Sequence, residues 1–157
     1  MEREMLLQGM DTRYALFGTF FAFHNRLQAT GDAFYQEITC KQFFLIICLE
    51  LFGENAPTIR ELAEVMGSSH QNVKQIADKL ERSGFIRQTR DQEDRRKIRI
   101  YPTEKLQSLE ERYEAKSKEF IERFYAGTTQ EELETVYQVM TCLLYTSPSP
   151  RDTERSR

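Results

Sequence analysis

Polar side chains that can hydrogen-bond to base edges cluster in one short stretch of the chain. Gln and Asn can each form two hydrogen bonds with an adenine edge, and Lys can reach guanine or a phosphate. They occupy the first two turns of a predicted helix, where a recognition helix meets the bases. Either of the two serines that precede this helix could cap it. The candidate contacts are Ser68, Ser69, His70, Gln71, Asn72, Lys74 and Gln75.

Two short helices joined by a tight turn hold these side chains in place. The first is predicted to begin at Thr58, because Thr58 and Glu61 have the spacing of a capping box, and to end at Gly67. The second is predicted to end at Gly84. Apolar residues recur every three or four positions in both helices, which predicts one buried stripe on each. The stripes consist of Ile59, Leu62, Ala63 and Met66, and of Val73, Ile76, Ala77 and Leu80.

A β-hairpin with a charged tip is predicted after the second helix. Residues Phe85–Arg90 and Lys97–Tyr101 have the composition and alternation of strands, and residues 91–96 form the polar tip. Helix, turn, helix and hairpin in this order predict a winged helix-turn-helix, a mainly α fold with a small β-hairpin wing. The alternative is a small helical domain with a solvated hairpin. DNA binding is favoured over this alternative, because several of these elements each indicate it.

Three stretches of the chain resemble the multiple-antibiotic-resistance regulator (MarR) family. They are Arg60–Ala63 with Met66–Ser69, Lys79–Ile86, and Asp91–Arg96 with Pro102–Lys105. The resemblance extends over residues 10–140. It implies that Arg96 enters the minor groove of DNA and that Asp94 orients it, with Arg95 beside them as a further candidate contact.

The resemblance also implies the function and the organisation of the chain. It implies a bacterial, cytoplasmic regulator that binds a palindromic double-stranded operator as a homodimer and acts as a repressor released by a small aromatic or phenolic effector. Residues 1–140 would form one unit, in which 10–28 and 103–140 dimerise and 39–101 is the winged helix-turn-helix. A ligand-independent regulator or activator is one alternative. A winged-helix protein-interaction module is another, but it would lack the polar second helix or the wing arginine.

Composition and charge further limit the classes of function that the chain could have. The 157-residue chain has a net charge of −3, whereas the stretch from Thr58 to Tyr101 has ten basic and seven acidic residues and is therefore positive. A basic module on an acidic scaffold suits DNA binding, because only the contacting face must attract phosphates. The two histidines and three cysteines have no metal or catalytic spacing, so neither an enzyme nor a cofactor is expected. The odd cysteine count favours a reducing cytoplasm, and the longest apolar run, Phe43–Leu49, is too short to cross a membrane.

Further helices are predicted on both sides of this region. Met10–Gln28 carries a broad aromatic stripe, which could be a dimer face or an intrachain core, and Thr30–Asp32 is predicted to break the helix. Cys40–Phe52 is apolar almost all round and is therefore expected to be buried. A long polar helix is predicted over Thr103–Ala126, and Thr129 caps a final amphipathic helix.

Residues 141–157 are predicted to be a non-native, disordered tail. Two prolines and several small polar residues predict that Tyr145–Asp152 is not helical. The segment Cys142–Asp152 resembles one translated reading frame of a transposase-based sequencing adapter. A natural disordered tail is the alternative.

Overall fold

The computed structural model describes residues 9–146, and these residues form two compact units, one up to Leu109 and one from Glu110 onward. The described residues contain six helices and two strands. The helices are α1 (Thr12–Phe34), α2 (Cys40–Glu50), α3 (Ile59–Val65), α4 (His70–Arg82), α5 (Glu104–Phe124) and α6 (Gln130–Thr146). The strands are β1 (Ile86–Arg90) and β2 (Ile98–Pro102). Helix α5 begins in the first unit and continues into the second.

The hydrophobic core of the first unit lies between α2, α3, α4 and the hairpin. The predicted stripes of α3 and α4 are buried, except that Met66 is only half-buried. Their burial confirms the helical periodicity found in the sequence. The largest fully buried side chains are Leu45, Ile46, Leu62, Val73, Leu80, Phe85, Ile86 and Ile100.

Local capping signals set the ends of α3 and α4. The Thr58 backbone amide donates to the Glu61 carboxylate at 2.7 Å, and the Glu61 amide donates to Thr58 Oγ1 at 3.2 Å, which completes the predicted capping box. Gly67 and Gly84 end the two helices with φ angles of 59° and 79°. Both lie in the left-handed region, which costs glycine little because it has no Cβ.

The hairpin is antiparallel and pairs Ile86 with Pro102 through to Arg90 with Ile98. The predicted strands are confirmed, each with its start one residue later than expected. The outer edge of β2 is also bonded, because the Ile100 amide donates to the Pro57 carbonyl at 2.9 Å. The wing is therefore joined to the loop that leads into α3.

Helix α1 runs through the predicted break to Phe34, so the prediction that Thr30–Asp32 ends it is wrong. Gly31 lies at a close approach of α1 and α2: a Cβ built there would be 2.7 Å from Cys40 Sγ. The Asp32 carboxylate accepts a hydrogen bond from the Cys40 backbone amide at 2.6 Å. Packing against α2 thus overrides the weak helix propensity of this segment.

The aromatic stripe of α1 does not enter the core of the described chain. Tyr14, Phe17 and Phe21 are 72%, 61% and 60% exposed, and no side chain of α1 is buried. Within the described residues, the intrachain-core interpretation of this stripe is therefore wrong. The dimer-face interpretation stays a prediction.

The prediction that α2 is buried on every side is wrong. Leu45, Ile46, Cys48 and Leu49 are buried, as expected for an apolar helix. Phe44 and Ile47 are exposed, because neighbouring elements of the first unit cover only part of the helix.

Helix α6 begins as predicted and ends later than predicted. The Thr129 amide donates to the Glu132 carboxylate at 2.8 Å, which confirms the cap. The helix continues to Thr146, so the prediction of a disordered tail from residue 141 is wrong for residues 141–146. The first proline of the tail is Pro148, which restricts only the residue before it, so the helix can extend to Thr146. The rest of the predicted tail lies outside the described residues.

Candidate nucleic-acid interface

Helix α4 presents a polar face opposite its buried stripe. Ser69 Oγ accepts a hydrogen bond from the Asn72 amide at 3.2 Å, so Ser69 rather than Ser68 is the N-cap. Ser68 Oγ instead accepts from Asn72 Nδ2 at 2.8 Å. The side chains of His70, Gln71, Asn72 and Gln75 are exposed in the first turns of the helix. The structure therefore places these candidate contacts together on one accessible surface.

Lys74, another candidate contact, is held by a carboxylate on its own helix. Its Nζ lies 2.9 Å from Asp78 Oδ1, and both side chains are partly exposed. The same carboxylate oxygen accepts a hydrogen bond from Gln88 Nε2 of β1 at 2.8 Å. Both contacts lower the pKa of Asp78, and the hydrogen bond from Gln88 is the larger cause.

A second carboxylate joins α4 to the hairpin. Glu81 Oε1 accepts the Gln88 backbone amide at 2.6 Å, and Glu81 Oε2 accepts Gln88 Nε2 at 3.0 Å. No local pattern in the sequence predicts these contacts, because they join residues seven and ten positions apart on different elements. They hold the candidate recognition helix against the first strand of the wing.

The wing tip brings Asp94 and Arg96 together. Arg96 Nε lies 3.1 Å from Asp94 Oδ1, which also accepts the Arg96 backbone amide at 3.1 Å. The pKa of Asp94 is lowered, and the hydrogen bond from the Arg96 side chain is the main cause. The Arg96 side chain is 92% exposed, and Arg95 beside it is also exposed. The pairing implied by the family resemblance is therefore present, while the contacts of these residues with DNA stay a prediction.

Asp91 is the carboxylate of the wing that sequence reasoning missed. It is only 9% exposed and accepts the backbone amides of Glu93 and Asp94, each at 2.8 Å. It also pairs with Arg99. The pKa of Asp91 is lowered to about 2, mainly by the hydrogen bond from the Asp94 amide and next by that from Arg99. An aspartate that bonds amides two and three positions later is a known turn signal, so the tip contact could have been found in the sequence.

Two further properties of the described residues concern the requirements of a metal site and of a membrane-spanning helix. Between residues 9 and 146, no group of three or more His, Cys, Asp or Glu side chains is placed to hold a metal ion. Over the same residues, no helix combines the length and apolarity needed to cross a bilayer.

The helix pair α3–α4, the tight turn between them and the following hairpin define a winged helix-turn-helix. Residues 38–98 match the model of the MarR family. This match covers the candidate recognition helix and most of the wing, so the chain is similar to that family over this stretch.

The chain is also similar to an individual protein. It is 29% identical over 85 residues to the uncharacterized HTH-type transcriptional regulator YfiV of Bacillus subtilis (strain 168). That match covers 54% of this chain and 53% of YfiV, so the chain spans about half the length of this curated relative.

Two solved structures share the fold at low sequence identity. The organohalide-sensing regulator RdhR, in its 2,4-dichlorophenol bound form, has a TM-score of 0.74 and 17% identity and covers 89% of this chain and 84% of its own. The S. aureus MepR–DNA complex has a TM-score of 0.72 and 20% identity and covers 82% of this chain and 95% of its own. These similarities show the fold.

Proposed function

We propose that the chain is a dimeric transcriptional repressor that binds a specific double-stranded DNA operator and is released by a small aromatic or phenolic effector. The observation that carries this proposal is the exposed polar face of α4, followed by a wing whose Arg96 is oriented by Asp94. MepR, which has the same fold, is solved with DNA.

The two parts of the surface suit the two grooves of B-DNA. The major groove admits a helix, and the amides of Gln71, Asn72 and Gln75 can bond adenine edges there. The narrow minor groove has a strongly negative potential and attracts an inserted arginine. Arg96 suits that role because its side chain is 92% exposed while Asp94 orients its guanidinium through Nε.

Exposed apolar faces on α1 and α6 support a homodimer. The α1 face is the aromatic stripe described above, and that of α6 includes Val136, Tyr137, Met140 and Leu144. Contiguous apolar patches of this kind mark interaction surfaces in soluble proteins. A two-fold dimer would place two copies of α4 in successive major grooves, with half-sites about 10 bp apart.

Selection of genomic DNA fragments by the purified chain tests the proposal. We expect enrichment of an imperfect palindrome, with an affinity that falls steeply as salt rises, because bound Lys and Arg displace counterions from phosphates. No enriched palindrome together with a flat salt response would refute sequence-specific binding.

The role of the wing is tested by Arg96→Ala. We expect operator binding to weaken by about 1–3 kcal/mol, since the minor-groove guanidinium is removed. Asp94→Ala should have a smaller effect, because it frees the arginine without removing it. Arg13→Ala is a matched control: Arg13 also pairs with an aspartate two residues earlier, Asp11, at 2.7 Å, but lies at the start of α1. Equal affinities for Arg96→Ala and the parent chain would contradict the assignment.

The effector is the least constrained part of the proposal. The bound 2,4-dichlorophenol of RdhR supports a phenolic ligand. Titration of the protein–operator complex with substituted phenols and benzoates should release the DNA. If none of them changes the operator affinity, the ligand-independent regulator is the better description.

A further inference from the structure

Asp91 closes the tip of the wing. One carboxylate oxygen, Oδ1, accepts the amides of both Glu93 and Asp94, while the Asp91 amide donates to the Lys97 carbonyl at 3.0 Å. The Lys97 amide in turn donates to the Asp94 carbonyl at 2.8 Å. The backbone that carries Arg96 is therefore folded around a single, nearly buried carboxylate.

The other carboxylate oxygen links this tip to a distant part of the chain. Asp91 Oδ2 pairs with Arg99 Nε, and Arg99 Nη1 donates to the Ala56 carbonyl at 2.7 Å. Ala56 is 43 residues away in sequence and lies in the loop before α3. We call the chain of contacts through Asp91, Arg99 and Ala56 the wing clamp.

The wing needs such an anchor for a physical reason. A two-stranded hairpin alone is only marginally stable in water, so its tip moves unless it is packed or bonded elsewhere. The minor groove is about 6 Å wide, which leaves little room for a displaced guanidinium. The wing clamp connects the tip to the same loop that leads into the helix-turn-helix.

We propose that Asp91 and Arg99 are positioning residues, which set where Arg96 meets the DNA without touching the bases themselves. This inference rests on the proposed DNA-binding function and assigns a role to two residues outside the predicted recognition surface. It requires that the effect of Arg99 on binding pass through Arg96.

Amide hydrogen exchange in the absence of DNA tests the clamp itself. In Arg99→Met, the amides of Glu93 and Asp94 should exchange about tenfold faster or more, because the tip opens locally, while α4 core amides such as Val73 stay protected. Arg87→Met is the matched control: Arg87 lies in the same hairpin and stacks over Tyr101 at 4.5 Å, outside the wing clamp. It removes the same charge and should leave exchange at the tip unchanged.

A double-mutant cycle on operator DNA tests the positioning role. We expect Arg99→Met to lower the salt slope of binding by about 2 for the dimer, one contact per wing, as Arg96→Ala does. Base preference should stay as in the parent chain. The double variant should bind no more weakly than Arg96→Ala alone, since Arg99 acts only through that side chain.

The outcomes separate this inference from the proposed function. Additive losses in the double variant, or unchanged tip exchange in Arg99→Met, would overturn the clamp. A parent chain that binds no selected DNA would refute the proposed function, and the exchange experiment would then decide the clamp alone. Asp91→Asn provides a second route if Arg99→Met does not fold, because the amide oxygen can still accept the tip amides while the ion pair is lost.

Discussion

The close contact between α1 and α2 makes Gly31→Ala an informative perturbation. The added Cβ would lie 2.7 Å from Cys40 Sγ and 2.8 Å from Cys40 Cβ. Favourable carbon contacts lie at about 3.5–4.0 Å, so the two helices would have to separate by about 1 Å. Cys40 Cβ is attached directly to the backbone and cannot rotate away. The strain would therefore fall on the helix–helix packing.

Two effects of opposite sign determine the magnitude. Ala is favoured over Gly inside a helix by about 1 kcal/mol, which alone would stabilise the fold. Overpacking costs about 1–3 kcal/mol. Separation of the helices would also lengthen the 2.6 Å hydrogen bond between Asp32 and the Cys40 amide. We expect a net loss of about 1–2 kcal/mol, which lowers the melting temperature by about 2–8 °C in a chain of this size.

Thermal and urea unfolding at one fixed protein concentration would measure this loss. Gly18→Ala is the control in the same helix, because a Cβ at Gly18 meets no atom within 4 Å. It should be neutral or stabilising by up to about 1 kcal/mol. Adding Cys40→Gly to Gly31→Ala should restore part of the loss, since it removes both close atoms. A Gly31→Ala chain as stable as the Gly18→Ala chain would refute the close contact.

Three further predictions concern the site and the tail. Lys74→Ala and Gln75→Ala should change which bases are preferred in a selection experiment, whereas loss of a phosphate contact would weaken all sequences alike. The pKa of Asp91 falls from 3.8 to about 2 on folding, so its stabilising effect is present above about pH 4 and is lost as the pH falls toward 2; the difference in unfolding free energy between the parent and Asp91→Asn should shrink over that window. Deletion of residues 147–157, which contain both prolines of the tail, should leave sedimentation and operator affinity unchanged.

Local signals in the sequence determined the helix-turn-helix and the wing. The Thr58 capping box and the helix-ending glycines at positions 67 and 84 depend on contacts within a few residues. The alternation that predicts the strands is likewise a pattern within each strand. Local signals also determined the candidate recognition surface. A stripe of apolar residues at helical spacing must face the core, so the remaining polar residues of α4 face outward.

Contacts between residues distant in sequence decided the length of α1, the exposed side of α2 and the anchoring of the wing. Gly31 remains inside α1 because Cys40 of α2 packs against it, and no pattern around Gly31 reveals that neighbour. Phe44 and Ile47 of α2 are exposed because burial depends on which elements surround a helix, whereas composition records only its hydrophobicity. No pattern in the sequence predicts the hydrogen bond from Arg99 to the Ala56 carbonyl, because only the folded chain brings an arginine of β2 to the loop before α3.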